Sequence, residues 1–177
     1  MMTFIALLRG INVGGHKKVP MAELREMIIN LGLVNVKTYI QSGNIVFKTK
    51  ENSSLLLESR ISKAILKQFG FEVSVLVRTK AELLEIFNNC PFEKVKKKKS
   101  YFMLLHDIPN QELVAEASTK TYQGEEYLII KDCIYYYCEK GYGQAKFNMN
   151  FFEKKLNTFA TSRNYNTMLK LLSLSED

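Results

Sequence analysis

Between two apolar runs, VNVKTYIQ at Val34–Gln41 and IVFK at Ile45–Lys48, stands the tripeptide Ser42-Gly43-Asn44. A connection this short leaves no room for a crossover helix, so the two runs must lie antiparallel as a hairpin. That single constraint argues against the parallel sheets of dinucleotide- and triphosphate-binding folds and sets the frame for the rest of the chain. Before the hairpin, the continuously apolar run Thr3–Leu8 fits a central strand. A helix is expected from Pro20, with Leu24, Ile28 and Leu31 as its apolar stripe and Gly32 as its stop. After the hairpin, a second helix is expected over about 54–68, with Leu57, Ile61, Ala64 and Ile65 on one face, then a strand over 71–78. The order is β-α-β-β-α-β, the split βαβ or ferredoxin-like unit.

Thr79-Lys80-Ala81-Glu82 has the spacing of a capping box and opens an extra helix, closed by Cys90-Pro91. The pattern then restarts: a strand at Ser100–His106, a short helix after Pro109, and a hairpin turning at Lys131-Asp132. A helix follows near Asn150, and another over about 163–172 stands where the last strand of the repeat would fall. The expected fold is α+β, two tandem ferredoxin-like halves with antiparallel sheets, the second ending in a helix. The expected domains are 1–93, a basic linker at 94–99, and 100–177.

Charge is uneven along the chain. The stretch to Cys90 has twelve basic and seven acidic residues, Pro91–Ser100 has five against one, and the remainder has eight against ten, within an overall +7. A basic front of this kind can steer a phosphate-bearing partner. No apolar run reaches the roughly 20 residues a bilayer span needs, and the N-terminus lacks the features of a signal peptide, so a cytoplasmic protein without a membrane partner is expected. Cys90, Cys133 and Cys138 are odd in number. The last two, five apart on one strand, point to opposite faces, so three free thiols are expected. With only two histidines, no metal site is expected, and no cofactor motif is present.

The stretch RGINVGGHKK, Arg9–Lys18, invites comparison with a phosphate loop. The spacing of Gly10 and Gly15 matches a Walker loop, but His16 and Lys17 occupy the places of its Lys and Ser/Thr. The helix begins only at Pro20, so its free N–H groups lie too far from the glycines to hold an anion with them. A nucleoside triphosphatase is therefore a poor reading. An anion can still be held by N–H groups around Gly10, Gly14 and Gly15, with Lys17 and Lys18 beside them. In a split βαβ unit the loop after the first strand and the turn between the second and third leave the sheet at one end. That places Arg9, Asn12, Lys17 and Lys18 near Gln41, Ser42 and Asn44.

The stretches ALLRGINVGG, MAELR and TYIQSGNIVF, followed by VLVRT, CPF and ATSRNYNT, closely resemble the bacterial domain-of-unknown-function family 1697 along essentially the whole chain. The resemblance implies a duplicated ferredoxin-like α+β fold and no established activity. It carries over Arg9, Gly10, Asn12, Gly14 and Gly15, then Gln41, Ser42, Gly43 and Asn44, then Arg163, Asn164, Asn166 and Thr167. Four positions depart from the family pattern: His16 and Lys17 fall where members vary, Ala145 stands where serine is usual, and Tyr165 replaces a frequent tryptophan.

If Thr161 or Ser162 caps the last helix, Arg163 lies in its first turn, where the helix dipole disfavours a cation unless an anion or a carboxylate such as Glu153 offsets it. Three functions follow from these residues. The first is a binding module for a phosphate-bearing ligand, nucleic acid or a phosphorylated small molecule, at the rim from Arg9–Lys18 and Gln41–Asn44. The second is a small-molecule enzyme acting on an anionic substrate in a cleft between the halves, with Asn12, Gln41, Asn44 and Arg163 orienting it. The third is an interaction domain whose polar motifs hold loops together by internal hydrogen bonds.

Overall fold

The structure, a computed structural model, describes Met1–Glu176. The chain divides into two units, one formed by Met1–Glu85 with the stretch from Lys170 on, the other by Ile86–Leu169.

In the first unit, β1 (Met2–Leu8), β2 (Val34–Tyr39), β3 (Asn44–Thr49) and β4 (Val75–Thr79) form an antiparallel sheet in the order β2-β3-β1-β4. The continuous apolarity of β1 is explained by its central place, buried on both faces: Phe4, Ala6 and Leu8 on one, Ile5 and Leu7 on the other, all 0% exposed. Two helices, α1 (Met21–Asn30) and α2 (Ser54–Phe69), cover the Phe4 face. Leu24 and Ile28 of α1 and Leu57, Ile61 and Ile65 of α2 pack there with Ile45 and Phe47. Local signals set the ends of α2. Ser53 Oγ accepts from the Leu56 N–H at 3.3 Å, and Gly70 terminates the helix at φ 79°. The extra helix α3 (Lys80–Asn88) opens on the expected capping box. Thr79 Oγ1 accepts from the Glu82 N–H at 3.2 Å, while Glu82 Oε2 accepts from the Thr79 N–H at 2.7 Å.

Where the sequence suggests a linker, Lys94–Lys97 form a short helix, α4, in the second unit. Two of its lysines are engaged: Lys96 Nζ meets Glu126 Oε1 at 2.7 Å, and Lys97 Nζ lies 4.3 Å from the centre of the Phe87 ring. The second sheet comprises β5 (Tyr101–Leu105), β6 (Glu125–Ile130), β7 (Cys133–Cys138) and β8 (Ala160–Asn164), in the order β6-β7-β5-β8. Helices α5 (Gln111–Ala117) and α6 (Met149–Leu156) face it through Ala117, Phe152 and Leu156, against Met103, Ile134 and Tyr136. All three cysteines are free thiols, and Cys138 belongs to this helix-side cluster.

The strand β8 corrects one expectation. The last strand of the repeat is not replaced by a helix; it is Ala160–Asn164, paired with β5 from Leu105↔Ala160 to Tyr101↔Asn164, and α7 (Tyr165–Leu174) follows it. ATSRN carries no apolar alternation, so its extended state comes from long-range pairing rather than from its own pattern. Arg163 is therefore a buried mid-strand residue and not a helix first-turn cation, and the α7 cap is Asn164, whose Oδ1 accepts from the Thr167 N–H at 2.9 Å.

With β8 in place both sheets have the same order, and the repeat extends to particular polar residues. Arg78 and Arg163 are each the fourth residue of the last strand, are 9% and 7% exposed, and donate Nη1 to the carbonyl just before them at 3.0 and 2.8 Å. Glu58 and Glu153 are each the fifth residue of the second helix. Their carboxylates accept from the Val77 and Ala160 N–H groups of those strands at 2.8 and 2.7 Å.

Candidate functional site

The loop after β1 is held at three levels. At its root, the Leu8 N–H donates to Gly43 O at 2.8 Å and the Arg9 N–H to Ser74 O at 3.0 Å, so the loop, the β2–β3 turn and the start of β4 share one end of the sheet. Above this, Asn12, at φ 54°, uses its amide as a second backbone. Its Oδ1 accepts from the Val19 N–H at 2.8 Å, and its Nδ2 donates to Val19 O at 3.0 Å and to Gln41 O at 2.9 Å. At the tip, the His16 N–H donates to Val13 O at 3.0 Å across Gly14 and Gly15, at φ 58° and 78°. Two central residues with positive φ define a primed hairpin turn, which accounts for both glycines without a ligand.

The β2–β3 turn is supported from below. Asn44, 0% exposed, donates Nδ2 to Tyr39 O at 3.0 Å and to Ser42 Oγ at 2.9 Å. Gly43 sits at φ 75° against β1, where a Cβ would come within 2.5 Å of Leu8 Cβ. Only glycine fits, for steric and conformational reasons together. Gln41 offers its carbonyl to Asn12, and its side chain is exposed.

What remains open is a groove of about 570 Å³ lined by Arg9, Gly10 and Lys17 from the loop, Lys63 and Leu66 from α2, and the segment Glu72–Ser74. Lys17 Nζ is held over it by Glu72 O at 2.7 Å, and Ser62 Oγ donates to Val73 O at 3.1 Å on its wall. Three cations against the single carboxylate of Glu72 leave the lining net positive. Lys18, Gln41, Ser42 and Asn44 do not line it, and Lys63 and Ser62 were not legible as site residues from their helical stripe. One signal pointed to them: in a split βαβ unit the fourth strand lies beside the first, so the junction of α2 and β4 must approach the end of β1.

The second unit holds Arg163, Asn164 and Asn166. Arg163 Nη1 donates to Thr161 Oγ1 at 2.9 Å as well as to Ser162 O, and burial lowers its guanidinium to about 10. Asn164 is the α7 cap, and Asn166 is exposed. His106 Nδ1 lies 2.8 Å from Asp107 Oδ2, which also accepts from Thr158 Oγ1 at 3.1 Å. Thr158 there supports Asp107 and is not presented as a nucleophile. Among the described residues no three His, Cys, Asp or Glu side chains group as metal ligands. Among the described residues no helix is long and apolar enough to cross a membrane.

The polar motifs of the first unit are thus the ties of two adjoining turns, and those motifs lie within residues 1–135, which match the model of Protein of unknown function (DUF1697). The chain belongs to the DUF1697 family. The ATSRNYNT stretch lies beyond the matched residues. A conserved bacterial protein, SP0830 from Streptococcus pneumoniae, is similar in structure at a TM-score of 0.78 and 25% identity, over 99% of each chain. No curated protein matches the chain. The DUF1697 signature of this chain therefore divides by role. Asn12, Gly14, Gly15, Gly43 and Asn44 build the rim, while Arg9 and Gly10 face the groove.

Proposed function

We propose that this DUF1697 chain is a binding module for a phosphate-bearing ligand, held in the groove between the Arg9–Lys17 loop and α2. The observation that carries this reading is the convergence of Arg9, Lys17 and Lys63 on one open concavity of about 570 Å³, beside the backbone of Gly10. Guanidinium and ammonium groups spaced along an open groove suit a chain of phosphates better than a single enclosed substrate. The asparagine motif acts upstream of binding: by fixing the loop on Val19 and Gln41, Asn12 sets where Arg9 and Lys17 stand. The groove is open and lacks a buried polar reaction centre, which favours binding over catalysis.

Fluorescence anisotropy with labelled single-stranded RNA and DNA, and calorimetry with nucleoside triphosphates, test this at low salt. Binding is expected to fall with salt at a log–log slope of about 2 for three phosphate contacts. Arg9→Ala with Lys63→Ala is expected to weaken it about tenfold or more, while Lys18→Ala, outside the groove, leaves it nearly unchanged. Absence of binding to all three ligand types, or binding indifferent to the double substitution, overturns the reading. It would leave the two tied turns as architecture alone.

A further inference from the structure

The edges of the two sheets are protected unequally. In the first unit the edge strand β2 is irregular: its pairing with β3 shifts between Val34 and Lys37, Asn35 sits at φ 52°, and a lysine stands on the strand. Bulges and edge lysines are how sheets avoid pairing with other chains. Its counterpart in the second unit, β6, has none of these. Six residues pair with β7 without a break, from Glu125↔Cys138 to Ile130↔Cys133, and the strand carries no proline or lysine.

The phase of that ladder is set by the Glu139 N–H, which donates to Gly124 O at 3.2 Å. Counting on from this pair, Glu126, Leu128 and Ile130 exchange hydrogen bonds with β7. Tyr127 and Ile129 therefore turn their N–H and C=O groups outward, where no further strand is paired. Leu128 is 47% exposed, and an open groove of about 610 Å³ runs beside the strand, past Lys120 and Thr121.

We propose that β6 pairs with β6 of a second copy of this chain, antiparallel across a two-fold axis, joining the two sheets into one of eight strands. The strand is its own complement in this arrangement. Outward-facing Tyr127 meets the partner's Ile129 as a hydrogen-bonded pair, and Leu128 meets the partner's Leu128 on the axis at a non-hydrogen-bonded site. The acidic end, Glu125–Glu126, falls beside the partner's Lys131, whereas a parallel arrangement would set the two acidic ends together. The apolar centre Tyr127-Leu128-Ile129 is covered by its own counterpart. An extended peptide of another protein would use the same outward groups but has no such symmetry to satisfy.

Analytical ultracentrifugation of the full chain tests the proposal, with a concentration-dependent monomer–dimer equilibrium expected. Leu128→Lys sets two cations against each other on the axis, and Ile129→Pro removes an outward N–H while sparing the ladder to β7. Both are expected to give monomers with unchanged circular dichroism. In a Cys90→Ser background, Leu128→Cys is expected to form a disulfide-linked dimer on mild oxidation, because opposed non-hydrogen-bonded pairs bring Cβ atoms close enough for a disulfide. Glu126→Cys, which faces the partner's Ile130, is not. A monomer at every concentration, a dimer that survives both Leu128→Lys and Ile129→Pro, or cross-linking equal at both cysteines overturns the proposal. A monomer that instead binds extended peptides along β6 does so as well.

Discussion

Asn12 shows one side chain's chemistry turned wholly to the main chain. An amide carries a donor and an acceptor, and a ligand site or a loop can use both. Here all three hydrogen bonds go to main-chain groups, and Val19, whose N–H and C=O both depend on Asn12, is 1% exposed. Asn12→Ala leaves a buried peptide unit without partners, and a loss of about 2 kcal/mol in unfolding free energy is expected. Chemical denaturation checks this, and a loss under about 0.5 kcal/mol would show that solvent replaces the amide. Arg163 was misplaced by the sequence for a related reason. ATSRN is followed by a strongly helical stretch, and nothing within five residues reveals that a guanidinium is to be buried beside a central strand.

At the scale of elements, ends proved more legible than interiors. The Thr79–Glu82 box, the Ser53 cap and the Gly70 stop each act over three or four residues, so each stands in the sequence as it stands in the structure. Thr79→Ala removes one half of the reciprocal pair that starts α3 and is expected to lower stability by about 1 kcal/mol, read from the shift in denaturation midpoint at constant slope. The hairpins were equally local: Ser42-Gly43-Asn44 and Lys131-Asp132 each fold two strands back by their own backbone preferences, with Gly43 at φ 75° and Lys131 at φ 51°. β8 was not local, and its strand character is conferred by β5.

For the molecule as a whole, the buried tyrosines of β7 make a pH prediction. Burial raises the phenols of Tyr135 and Tyr136 well above the ordinary value of 10.0, and the Tyr136 hydroxyl is further held by Glu125 Oε2 at 2.7 Å. A raised folded-state value favours the protonated phenol. Their contribution is therefore whole below the unfolded-chain value and is lost as pH climbs beyond about 10. Arg163, lowered to about 10, carries the opposite sign above that pH and is outnumbered. The melting temperature is expected to fall steeply between about pH 10 and 11, and Tyr135→Phe, which loses the bond to Ile86 O at 2.8 Å, to flatten that fall. An equal slope in the variant would assign the alkaline loss to other groups.

Taken alone, the sequence determined what short-range physics can carry: the antiparallel hairpin, the β-α-β-β-α-β order, the buried central strand and the helix caps. It also determined that the loop after β1 and the turn before β3 share an end of the sheet, because chain connectivity in a split βαβ unit allows no other arrangement. Tertiary structure alone decided that β8 is a strand and that the asparagines are ties. It also decided that the open groove gathers Lys63 and Ser62 of α2 with Arg9, residues remote in the chain. Backbone preference and periodicity are written within a few neighbouring residues. The burial of a guanidinium or the meeting of two cations depends on which distant segments the fold brings together.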